Sequence, residues 1–147
     1  MKIQPYLSFL EELGRKLEEL AQLEQRKLDA VRAGDLETLE QYMKREQAAA
    51  LDLRGREQRR KALLRNLGLE DVSLQDLPAH CPPDCREQAQ EATRRVMNSY
   101  REFTSAQTAV RTLMEANLRH IQGELEQRQQ AQQAQPAHQS GQTDFRA

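Results

Sequence analysis

Residues 28–39 read LDAVRAGDLETL, and the Gly34-Asp35 step inside them decides the fold. Gly34 offers the left-handed conformation that ends a helix. Asp35 is a good N-cap for the next helix, and Glu37 in its first turn favours the helix dipole. Long leucine-spaced segments flank the step. A connection this short makes them run antiparallel, as a helical hairpin.

Working outward, the first segment spans residues 5–31. Pro5 suits a first helical turn, where its missing N–H costs nothing. Ile3, Leu10, Leu17 and Val31 keep a seven-residue spacing, with Leu13 and Leu20 between them. Leu7, Leu23 and Leu28 widen the stripe, so this helix should touch more than one neighbour. Glu11, Glu12, Glu18 and Glu19 alternate with Arg15, Lys16, Arg26 and Lys27 as a solvated outer face. The second segment, 36–67, places Leu36, Leu39, Met43, Ala50 and Leu53 on one face. Leu63, Leu64 and Leu67 continue that face. Gly55 is interior and costs about 1 kcal/mol relative to alanine.

Gly68 closes the second helix. Pro78, Pro82 and Pro83 exclude a regular helix across 69–85. Leu69, Val72, Leu74 and Leu77 predict that this connection packs over the end of the hairpin, with one helical turn over 73–77. A third helix is expected over 86–125. Its apolar face is Ala89, Ala92, Val96, Tyr100, Phe103, Val110, Leu113, Met114, Ile121 and Leu125. Asn117 interrupts that face, as a register device or a boundary does. From Arg128 the chain is glutamine-rich and cannot offset the entropy of ordering itself, so frayed helix and then disorder are expected there. Phe145 is its one apolar anchor. The expected fold is all-α: an antiparallel bundle of three long helices, a hairpin plus a long C-terminal helix, with coiled-coil-like packing. The expected domain is 1–127, with a disordered tail at 128–147.

Composition narrows the function. Aromatic residues make up 4% of the 147 positions, Trp is absent, and mean hydropathy is −0.90. Such a chain builds its core as a thin seam along helices. A net charge of −1 argues against binding a polyanion. Arg54, Arg56, Arg59, Arg60, Lys61 and Arg65 do crowd the second helix, with Glu57 among them. Helical spacing spreads them around the axis, as on a solvated face. Docking to an acidic protein surface is the alternative. Nucleic acid is disfavoured, because no aromatic platform accompanies the charges. Residues 1–10 lack a signal-peptide pattern, and no apolar run approaches membrane-spanning length. A cytoplasmic protein with free thiols is expected.

No enzyme is expected. His80, Cys81 and Cys85 cluster in one loop, but zinc sites need two separated ligand pairs, and His120 and His138 are isolated. The carboxylates alternate with bases along helices, and no phosphate-binding glycine loop occurs. No metal or cofactor is expected. The remaining signal is the late third helix. Its Val110, Leu113, Met114, Leu118 and Ile121 form a stripe able to receive an amphipathic helix from another protein.

The chain resembles the FlgN family of flagellar type III export chaperones. The resemblance rests on the Leu10, Leu13, Leu17, Leu20 spacing and on GDLETLEQYMKREQAAALDLRGREQRRKALLRNLG from Gly34 to Gly68. It rests also on ANLRHIQGELE from Ala116 to Glu126. It implies a cytoplasmic chaperone for the hook-filament junction proteins FlgK and FlgL, binding their helical termini before delivery to the export apparatus. It assigns client binding to the late helix: Val110, Leu113, Met114, Asn117, Leu118, Ile121 and Leu125. The rival readings are a self-associating coiled coil and an adaptor docking through Arg54–Arg65. The sequence leaves open whether the helices close within one chain or across a homodimer.

Overall fold

The computed structural model describes residues 2–133, with Ile121 described by its backbone alone. It contains α1 (Gln4–Ala33), α2 (Leu36–Leu67), a 3₁₀ turn (Leu77–His80) and α3 (Arg86–Gln133). No strand occurs among the described residues. The chain divides into two compact units, residues 1–111 and residues 112–147. α3 contributes residues to both.

The hairpin forms as its local chemistry dictates. Gly34 takes φ 67° and ψ 21°, which a Cβ would strain. Its N–H donates to Val31 O at 3.2 Å, and the Asp35 N–H donates to Ala30 O at 3.0 Å. Two of the carbonyls that α1 leaves unpaired are thereby satisfied. Asp35 then accepts from the Thr38 N–H at 3.2 Å and from the Thr38 hydroxyl at 2.6 Å. These bonds lower the pKa of the Asp35 carboxyl. Gly68, with φ 69°, ends α2 in the same way, and the Leu69 N–H donates to Leu64 O at 2.9 Å.

Within unit 1, α1 and α2 are antiparallel. Arg56 of α2 reaches Glu12 of α1 at 3.3 Å near one end, and Lys27 of α1 bonds Glu46 of α2 near the other. α3 returns parallel to α1. Gln88 donates to Glu11 at 3.0 Å and Arg95 donates to Glu18 at 2.7 Å, both at an offset of 77 residues. That offset sets Val110 level with Ala33, the last residue of α1. The bundle is therefore up-down-up, in agreement with the all-α expectation.

α1 supplies most of the core through Ile3, Tyr6, Leu7, Leu10, Leu17 and Leu20. Its wide leucine stripe serves two neighbours at once. At Gly14, an added Cβ would lie 3.3 Å from Arg95 Cγ and 3.7 Å from Val96 Cγ2, so α1 and α3 approach closely there. Leu69, Leu77 and Cys81 of the connection join the same core.

Three expectations are corrected. The 3₁₀ turn falls at Leu77–His80 and not over 73–77. Ser73 instead closes a turn by accepting from the Asp76 N–H, and helical structure starts only where Pro78 can occupy a first-turn position. On α2 only Leu39 and Leu64 are buried, while Leu36 and Met43 are exposed. Half-buried Arg56 and Arg60 take inward positions that the leucine pattern had not assigned. Tyr100, expected on the apolar face of α3, is 57% exposed. α3 continues to Gln133, and the rest of the tail expected at 128–147, with Phe145, lies outside the described residues.

Candidate partner-binding surfaces

Helical geometry puts Met114, Leu118, Ile121 and Leu125 on one stripe, at steps of four, three and four. All four belong to unit 2. Leu118 is 56% exposed, and Met114 and Leu125 are half-buried. The side chain of Ile121 lies outside the described residues. Leu113 is half-buried and Asn117 is exposed at the edge of the stripe. In the same unit His120 Nε2 lies 3.1 Å from Glu124 Oε1, one turn along the polar side. Val110 differs from the other six. It belongs to unit 1 and is 2% exposed, so it serves the core there.

Unit 1 carries a second surface feature. A groove enclosing about 720 Å³ opens between α2 and α3. Leu13 and Leu17 form its floor, Leu53 lines the α2 side, Met97 and Tyr100 line the α3 side, and Leu74 closes one end. Towards the other end, Glu46 of α2 is hydrogen-bonded to Gln107 of α3.

The basic run on α2 resolves into two groups. Arg56 is held by Asp52 at 2.7 Å and by Glu12, Arg60 by Glu57 at 2.9 Å, and Arg65 lies 3.8 Å from Glu70. Arg60 also bonds the hydroxyl of Tyr6, whose pKa is raised mainly by burial. Arg59 stacks over the Phe9 ring at 5.9 Å. Arg54 and Lys61 have no ion-pair partner among the described residues and are exposed.

A buried charged cluster escaped the sequence reading. Glu24 is fully buried and Lys27 nearly so, and both face Glu46. Burial, then the neighbouring Glu46, pushes the Glu24 carboxyl up to about 7. Glu46 is held below the usual carboxylate range by its bonds to Glu24, Lys27 and Gln107, which outweigh its own desolvation. A signal was present. Glu24 occupies the seven-residue position between Leu17 and Val31, which the leucine pattern passes over.

Cys81 is buried and Cys85 half-buried, and both are free thiols. Burial raises the Cys81 pKa, which keeps the thiol protonated and unreactive. No group of three or more metal-ligating side chains occurs among the described residues. No helix among them is long and apolar enough to cross a membrane.

The sequence model of the FlgN protein family matches residues 1–140 of the chain. No curated protein and no solved structure matches it.

Proposed function

The chain belongs to the FlgN family, a family of flagellar export chaperones and not of enzymes, and on that premise we propose which clients it serves and through which surface. The clients are the hook-filament junction proteins FlgK and FlgL. The chaperone binds their amphipathic terminal helices in the cytoplasm, prevents premature assembly and delivers them to the export apparatus. Binding uses the late part of α3: Leu113, Met114, Asn117, Leu118, Ile121 and Leu125, with Val110 joining only where the end of the unit 1 core loosens.

The observation that carries this reading is the stripe itself. An exposed leucine flanked by half-buried apolar side chains at helical spacing presents a face that a client helix can cover. Ordering a client segment on it costs free energy, which keeps affinity moderate and release feasible. The test is titration calorimetry with purified FlgK and FlgL, intact and lacking the C-terminal segment. Binding that requires the client terminus and is lost in Leu113→Asp plus Ile121→Asp is the expected result. Unchanged binding by that variant would remove the assigned surface.

A second reading, self-association, has one observation in its favour. Leu36, Met43 and Leu51 are exposed on one side of α2. Sedimentation of the free protein over a range of concentration decides it, and a monomer throughout would exclude it.

A further inference from the structure

The groove between α2 and α3 in unit 1 has apolar walls from all three helices, yet no segment among the described residues fills it. It extends along α2 from Leu53 to Arg65, about 18 Å at the helical rise per residue. That length accepts side chains from about three turns of a helix. Its α2 rim carries a net positive charge: Arg60 is paired with Glu57 and Arg65 with Glu70, and Lys61, which acts on Glu57 through space, is left without a direct ion pair among the described residues. Arg54 adjoins Leu53, and Lys61 lines the groove seven residues further on, which puts both on one edge of α2. The opposite rim, formed by Met97 and Tyr100, is uncharged, and Tyr100 stands exposed there with its ring available for packing.

We infer that this groove is a second client-docking site, which takes an amphipathic helix carrying acidic side chains about seven residues apart. The inference rests on the chaperone reading above but concerns a different surface from the late α3 stripe. The apolar face of the client helix covers Leu13, Leu53 and Met97, and its acidic edge meets Arg54 and Lys61. Such a helix converts the three-helix bundle locally into a four-helix one. The two cations steer the encounter, fix its register and add affinity at low salt, and reversing their charge sets like charges against the client's acidic edge.

The test uses the full chain with purified FlgK as the probe. A benzophenone side chain is placed at position 100, and separately at position 118. The charge-reversed variant Arg54→Glu plus Lys61→Glu is titrated with FlgK at low and high salt. Both residues are exposed, so helicity by circular dichroism should match the parent chain. The expected results are a photo-adduct with FlgK from position 100, an affinity at least tenfold weaker in the reversed variant at low salt, and a flatter salt dependence. If FlgK binds the parent chain but position 100 gives no adduct, or the reversed variant binds with unchanged affinity, the groove inference is overturned and the chaperone reading stands. An adduct between two copies of the chain also overturns it, in favour of self-association. If neither FlgK nor FlgL binds the parent chain, the client assignment fails and the groove inference falls with it.

Discussion

Glu24 Oε2 lies 3.4 Å from Lys27 Nζ in a fully buried position, yet neither Glu24 oxygen accepts a hydrogen bond. Lys27 directs its bond to Glu46 instead. With both carboxylates ionised, the cluster would carry a net negative charge away from water, which is costly. A proton on Glu24 removes that charge and lets Glu24 donate to Glu46. This is why its pKa is pushed up to about 7 while that of Glu46 is lowered.

The cluster makes stability depend on pH in a definite direction. A carboxyl with a raised folded pKa contributes fully below its unfolded value near 4.5, and the contribution fades as pH rises through about 7. Glu24→Gln mimics the protonated form. The variant should match the parent chain at pH 5 and exceed it at pH 8 by on the order of 1–2 kcal/mol in urea unfolding. Equal stabilities at both pH values would mean that Glu24 stays ionised when folded. Glu18 and Glu57 act with the opposite sign. Arg95 and Arg60 respectively lower their pKa values, so their contributions are lost as pH falls.

Two glycines should respond in opposite ways. At Gly55 an added Cβ meets nothing within 4 Å, and the residue lies inside α2. Gly55→Ala should therefore stabilise the chain by about 0.5–1 kcal/mol through helix propensity. At Gly14 the space is taken by Arg95 and Val96. Gly14→Leu should overpack the α1–α3 contact and cost about 1–3 kcal/mol. Thermal melts of the two variants decide both.

The connection between α2 and α3 should behave as part of the core. Leu77 is 1% exposed and clusters with Ile3, Tyr6 and Leu7. Leu77→Ala should cost about 2–4 kcal/mol by leaving a cavity. A loss under 0.5 kcal/mol in chemical denaturation would show that the connection does not dock stably.

A substitution at Leu118 should separate binding from folding. It is 56% exposed, so Leu118→Asp should leave the melting temperature of the free chain within a degree or two. In calorimetry with FlgK the same substitution should weaken binding at least fivefold. A normal affinity would move the contact away from this side chain.

The sequence by itself determined the local features. The helix ends at Gly34 and Gly68, the Asp35 cap and the three helical segments follow from φ/ψ preferences and from the seven-residue spacing of Ile3, Leu10 and Leu17, all of which act over a few residues. The proline-bearing connection was legible as packed, because Leu69 and Leu77 recur too closely for a solvated linker. Only the tertiary structure decided burial. Leu36 and Met43 share a periodic face with Leu39, yet Leu39 alone of the three is buried. The spacing of one helix does not say how wide a strip its neighbour covers. The parallel register of α1 and α3 sets Val110 beside the end of α1 and assigns it to the core of unit 1, whereas the resemblance had grouped it with the late stripe. Glu24 is the sharpest case. Its heptad position was visible in the chain, but its burial against Glu46 depends on the antiparallel register of α1 and α2. That register is a contact between residues far apart in sequence, and no local pattern carries it.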